Sequence, residues 1–533
     1  MDIIFATFPI VLLIYWMAKP SPLPSHKALP LVALIMYLVR LIHFSDLPNQ
    51  VNATVVLGLL SALVPISIIA GAIFLFKTME SSGAMPRIRS WLNGVTENRV
   101  AQLMIIGWAF SFMIEGASGF GTPAALAGPI LVGLGFPALK VAVFCVLMNS
   151  VPVSFGAVGT PTWYGFAPVL ETLPAASQAM LLQEVGIKSA IMHSIAALLV
   201  PLAGIIYSLG WKTAKANLLY IYLSTGACVM PYIILSFFSY EFPALIAGMI
   251  GFALSIWMAS RGIGLSSEKD GPQRQKTTPV TGGLVKALFP LWGTVTVLLL
   301  TRIPQLQIKT LLTQPDGGWE FTLGSLGQFG ISPSLVISLS EIFGSTERWD
   351  FQLLYVPWLI PFFLISWITF ILYRSSATVM LETLRDTGKM VALPAVALLG
   401  ALVYVRLIMA GGESSTASII GNSLAGAVGE NWVWLAPYLG AIGSFFSGSA
   451  TISNLTFGSI QYSVAETLNL STSTILALQS VGGAMGNMIC INNIVAICAI
   501  LGISEHEGHI LRINAIPMLL YGLIAIITVI CIF

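Results

Sequence analysis

Apolar stretches of about bilayer length recur along this 533-residue chain, and they decide what it can fold into. A helix needs roughly 20 mostly apolar residues to cross the hydrocarbon core, where only helices and closed barrels satisfy their own backbone. The runs read as helices near residues 3–18, 28–44, 54–76, 187–209, 218–238, 243–259, 286–302, 351–373, 390–410 and 511–533. Charged residues make up 9% of the chain, against about 25% in soluble domains. The sequence therefore predicts an all-α polytopic membrane protein of about 12 or more segments, embedded in the lipid bilayer. No stretch reads as a separate extramembrane domain. Met1-Asp2 and the run to Ala18 lack the basic start and small-residue cleavage site of a signal peptide, so the first helix is expected to be retained.

A net charge of +2 gives no reason to expect a nucleic-acid partner. The five cysteines, Cys145, Cys228, Cys490, Cys498 and Cys531, fall within apolar segments and imply no disulfide framework. His506 and His509 read as a solvated turn, and His193 as a core histidine; no metal or other cofactor is implied. Most of the 24 basic residues sit in a few connections, such as Lys77 to Arg99, Arg261 to Lys286 and Arg374 to Lys389. The positive-inside bias puts these in the cytoplasm. Two apolar but broken regions, 100–170 and 435–501, then have a defined course. Residues 100–134 form a re-entrant hairpin from the cytoplasm, and 139–170 cross outward with a break at Val151–Gly156. Residues 435–466 form a hairpin from outside, and 472–501 cross inward. Both termini fall outside, and 303–350 is the main external loop.

Glu115 stands near the tip of the first hairpin, in Glu115-Gly116-Ala117-Ser118-Gly119-Phe120-Gly121-Thr122-Pro123. An acid at membrane depth is costly unless it meets a cavity or a partner, and irregular backbone is tolerated there only where protein or water satisfies it. A shift of 332 residues brings Glu115-Gly116-Ala117-Ser118 onto Ser447-Gly448-Ser449-Ala450, and Gly156–Pro161 onto Met488–Asn493. Opposite membrane sidedness of the two hairpins makes this an inverted repeat. Paired interrupted helices in inverted halves point to a transporter site.

These segments resemble the lactate permease family, within the wider ion-transporter superfamily. The likeness rests on Glu115–Pro123, Leu131–Phe136, Val151–Pro161, Gly448–Asn454 and Gly486–Ile489, in order and at matching spacing; the linking helices match mainly in hydropathy. It implies a secondary active carrier in which the two hairpin tips hold a small organic anion. The substrate expected first is a short monocarboxylate, lactate or glycolate, imported with a proton. Two positions depart from the family pattern: Ala450 stands where an acid is typical and Asn487 where a lysine is frequent. The alternative is therefore a sodium-coupled carrier of a sulfonate or dicarboxylate. By analogy with the superfamily the motion is elevator-like, in a bacterial inner membrane, and a homodimer is compatible with it.

Glu115 is expected either to carry the coupling proton, since desolvation favours a neutral carboxyl, or to be a structural acid bonded to its own break. The substrate-binding set comprises Ser118, Gly119, Gly121 and Thr122 at the first tip, and Ser447, Ser449, Thr451, Ser453 and Asn454 at the second. Half-helix amides there attract anions, although the hydroxyls could equally be caps. Asn487, Asn492 and Asn493 complete it; with Asn454, the last two could instead coordinate sodium. Arg406 either snorkels to the interface or pairs a substrate carboxylate. The expected division is scaffold 1–99, first transport repeat 100–170, scaffold 171–410 with cytoplasmic loop 260–285, second transport repeat 411–501 and C-terminal helix 502–533. No catalytic residue is assigned. The one enzymatic alternative is a rhomboid-like protease, from Gly116-Ala117-Ser118-Gly119 with His193 as base.

Overall fold

The computed structural model describes residues 2–18, 23–119, 122–171, 173–266, 283–302, 306–315, 317–356, 358–411, 415–503 and 506–533. It is mostly helical. Seven of the described helices are long and apolar enough to cross a membrane, and an eighth span is a bent pair. The chain forms two compact units, residues 1–86 with 283–423 and residues 87–282 with 424–533.

In the first unit the 33-residue helix Ala377–Met409 is the organising element. It packs against Ser25–Ile42, Pro48–Ser61 and Leu63–Ser81. Helices in lipid gain little from apolar burial against each other, so close packing of small residues does the work. The helix begins 13 residues before the expected 390, because its first turns carry the polar stretch Glu382–Lys389 that a hydropathy reading discards.

The loop 303–350 contains a small folded element that the sequence reading did not anticipate, and that corrects the all-α expectation. Strands β1 (Trp319–Thr322), β2 (Gln328–Ile331), β3 (Val336–Ser340) and β4 (Arg348–Gln352) form an antiparallel meander in that order. Leu339 faces Trp349 across the last pair. Trp349 and Phe351 alternate inward, with rings stacked at 5.9 Å. That period-2 pattern was the available signal. The expected span 351–373 accordingly starts late: residues 351–352 finish β4, and the helical segment runs from Trp358 to Tyr373.

The second unit holds both broken regions. Arg99–Gln102, a π-helical stretch Leu103–Phe110 and Ser111–Ser118 form one limb, and Thr122–Gly133 packs back against it. Of the span Arg99–Ala117, 94% is buried, against 33–61% for the other spans, so this limb is enclosed by protein. Helix Ala138–Met148 and the segment Val153–Leu170 are bent by 64° at their junction, where the break was expected. The second hairpin pairs Trp432–Ser447 with Ala450–Thr467. The last broken segment is Thr472–Gly486 followed by Ile491–Leu501. Its interruption spans 487–490, so Asn492 and Asn493 lie in the first turn of the following helix rather than in the break. Trp432–Ser447 and Thr472–Gly486 approach closely at Gly440 and Gly482, where a Cβ would lie 2.4 Å from Gln479 O and 2.0 Å from Pro437 O. Helices Ala175–Ala196 and Glu507–Ile532, expected as scaffold and C-terminal elements, cluster with this unit.

Candidate functional site

The break in the first region is built from strained backbone. Ala157, Val158 and Gly159 have φ of 44°, 58° and 72°, a left-handed run costly for a β-branched valine. Side chains capture the carbonyls this frees. Thr162 Oγ1 donates to Ser154 O at 2.6 Å, Thr160 Oγ1 to Ala157 O at 2.5 Å and Trp163 Nε1 to Val158 O at 3.0 Å. Asn454 Nδ2, from the second hairpin, donates to Pro161 O at 2.9 Å. Buried polar backbone demands such partners, and here they hold the kink open.

Two networks lock the break to its neighbours. His193 Nε2 meets Ser154 Oγ at 2.7 Å, and Nδ1 meets Tyr521 OH at 2.5 Å; Ser480 Oγ donates to Ser154 Oγ at 2.9 Å. The second is a run of amides. Trp432 Nε1 donates to Gln461 Oε1, Gln461 Nε2 to Gln479 Oε1, and Gln479 Nε2 to Ser453 Oγ and Asn454 Oδ1. Ser453 Oγ in turn donates to Gly440 O at 2.6 Å.

The broken regions line a small cavity. Glu115, Gly119, Asn149, Gly156 and Ala157 line one side, and Ser449, Ala450, Thr451, Asn487 and Asn493 another. Glu115 is buried, and its Oε1 is packed against Gly156, where a Cβ would come within 2.4 Å. Its Oε2 has no hydrogen-bond partner among the described residues. Asn149 lies beside the carboxyl. Glu115 is the one ionisable residue among the described lining residues.

The expected site residues therefore separate. Glu115, Gly119, Ser449, Thr451, Asn487 and Asn493 come together, as do the two departing positions, Ala450 and Asn487. Gly119, with φ of 61°, closes the first tip. Thr122 Oγ1 donates to Gly119 O at 2.7 Å as part of that turn. Ser447 Oγ donates to Gly443 O and Ser449 O, and Ser449 Oγ accepts from Ile452 N, so both act as caps. Ser453 and Asn454 are engaged in the amide run. Gly121 and the side chains of Ser118 and Asn492 lie outside the described residues. Arg406 belongs to the first unit, where Nη2 donates to Ser61 Oγ at 3.2 Å. Sequence reading missed Asn149, Gln461 and Gln479. Their signal was an amide within an apolar run, the counterpart of the acid that Glu115 displayed.

The apolar helices mark a multi-pass membrane protein, and the relatives below place it among transporters of the bacterial cell membrane. The L-lactate permease family model matches residues 2–533, so the chain belongs to that family. Its members are named as transporters, not enzymes. This displaces the protease alternative, and His193 is occupied by Ser154 and Tyr521. A Haemophilus influenzae protein provisionally named an L-lactate permease is 48% identical over 525 residues, covering 98% of this chain and 97% of that one. The L-lactate permease of Bacillus subtilis is 27% identical, covering 85% and 82%. The glycolate permease of Escherichia coli is 25% identical, covering 95% and 91%. The solved structure of the Alcanivorax borkumensis YdaH transporter aligns with a TM-score of 0.43 at 12% identity, over 89% of this chain and 87% of that one.

Proposed function

We propose that this permease imports a short 2-hydroxymonocarboxylate, lactate or glycolate, with one coupled proton, by alternating access. Glu115 carries the proton. The observation that supports this most directly is that Glu115 is the one ionisable group among the described residues lining the cavity. An anion entering beside an ionised, desolvated carboxylate would meet uncompensated like charge. A proton on Glu115 removes that repulsion and makes loading electroneutral. The anion is held by amides at the start of Ala450–Thr467 and by the polar groups of Thr451, Asn487 and Asn493. The names of the relatives support the substrate class.

Sodium coupling is the weaker reading. The carbonyls freed at the first break already accept from Thr162, Thr160, Trp163 and Asn454, and the Asn454 amide is engaged at both ends. A dicarboxylate is disfavoured by a cavity without a cation among its described lining residues. On this reading the inverted hairpins re-enter the membrane from opposite sides, the broken regions move elevator-fashion against a scaffold, and a homodimer is compatible with that motion. Uptake of labelled lactate and glycolate into proteoliposomes, under separately imposed proton and sodium gradients, tests the proposal. Proton-driven uptake is expected; uptake that follows sodium alone would overturn it.

A further inference from the structure

Two buried oxygens of the cavity have no hydrogen-bond donor among the described residues: Glu115 Oε2 and Asn149 Oδ1. Their residues are 3% and 5% exposed and line the same space. Asn149 and the Glu115 carboxyl share that lining. An amide oxygen can only accept, so Asn149 Oδ1 is an acceptor on the lining without a donor among the described residues. Two other acceptors on the lining are engaged: Asn487 Oδ1 accepts from Asn493 Nδ2 at 3.2 Å, and Ser449 Oγ accepts from Ile452 N at 3.3 Å.

We propose that Asn149 Oδ1 accepts the hydrogen bond of the substrate's 2-hydroxyl, and so selects 2-hydroxymonocarboxylates over acids of the same size that lack a hydroxyl donor. This rests on the transport reading above. A buried acceptor left without a donor is costly. The coupling proton supplies one hydrogen to the pair, and the substrate hydroxyl supplies the second. A site built to bond a hydroxyl rejects analogues lacking it far more strongly than an apolar pocket rejects a missing methylene. Because Asn149 offers an acceptor, a keto or ether oxygen at the same position does not substitute for the hydroxyl.

The test is competition against labelled lactate uptake in proteoliposomes of the full chain, using lactate, propionate, pyruvate and 2-methoxypropionate. In the unaltered protein the three acids without a donor should compete at least about tenfold more weakly than lactate. Asn149→Ala should close most of that gap, chiefly by weakening lactate. Asn149→Leu, nearer in volume, serves if the alanine variant does not fold, and the pyruvate-to-lactate ratio of the unaltered protein needs no variant. Equal competition by all four acids, or an unchanged gap in the variants, would overturn the assignment; the two oxygens would then satisfy each other through the Glu115 proton. Absence of any lactate uptake by the unaltered protein would defeat the transport reading itself. Uptake without hydroxyl preference defeats only the role of Asn149.

Discussion

Gly156→Ala isolates the contact on which the Glu115 reading depends. Gly156 has φ of −63° and ψ of 157°, which any L-residue adopts, so the backbone is not strained by the change. The added Cβ would stand 2.4 Å from Glu115 Oε1 and 3.2 Å from its Cδ. The clashing atom is the end of a side chain that faces the cavity, so the carboxyl must swing away from Gly156 to relieve the contact. Forcing a methyl into a packed site costs about 1–3 kcal/mol. If that cost falls on the loaded state, uptake drops by roughly 5- to 150-fold. The assay is the initial rate of proton-driven lactate uptake per folded protein, with folding checked by gel filtration. Gly226→Ala is the control, since its Cβ meets nothing within 4 Å. Combining Gly156→Ala with Glu115→Asp, one methylene shorter, should restore folded yield without restoring uptake. A Gly156→Ala protein that transports at the unaltered rate would refute the packing argument.

Asn454→Ala orphans the Pro161 carbonyl, at about 1–3 kcal/mol, while Gln479 Nε2 keeps Ser453 as acceptor; the thermal unfolding temperature in detergent should fall. Gly116→Ala would place a Cβ 2.3 Å from Leu245 N and 2.5 Å from its Cα, a backbone contact that no rotamer relieves, so folded yield by gel filtration should collapse. Ala450→Asp puts a second acid into the Glu115 cavity and should lose uptake, whereas Ala450→Asp with Asn487→Lys should recover part of it, because an uncompensated buried charge costs more than a paired one.

The helix breaks were legible because glycine, proline and a lone acid interrupt otherwise uniform apolar runs, and the chain has no cheaper way to satisfy such residues than a cavity. The structure places the first break at Met148–Gly156 and the second at 487–490, close to the expected positions. Hydroxyls were legible as residues but not as roles: Ser447 caps, Ser449 caps and also lines the cavity, and Thr451 lines it. That choice turns on an ångström of backbone geometry, which sequence spacing does not encode. Asn149 and Gln479 escaped notice because an amide carries no charge, and charge was the mark that singled out Glu115 in an apolar run. The meander 319–352 escaped because four strands of four or five residues lie below the length that hydropathy averaging resolves.

The central claim, that Glu115 carries the coupled proton, is tested most directly by following lumenal pH in proteoliposomes as lactate is added. Protein-free liposomes correct for passive entry of the neutral acid. The unaltered protein should acidify the lumen in step with labelled lactate entry and without charge movement. Glu115→Gln should abolish that acidification while still exchanging internal for external lactate. A Glu115→Gln protein that acidifies the lumen and accumulates lactate as before would contradict the account.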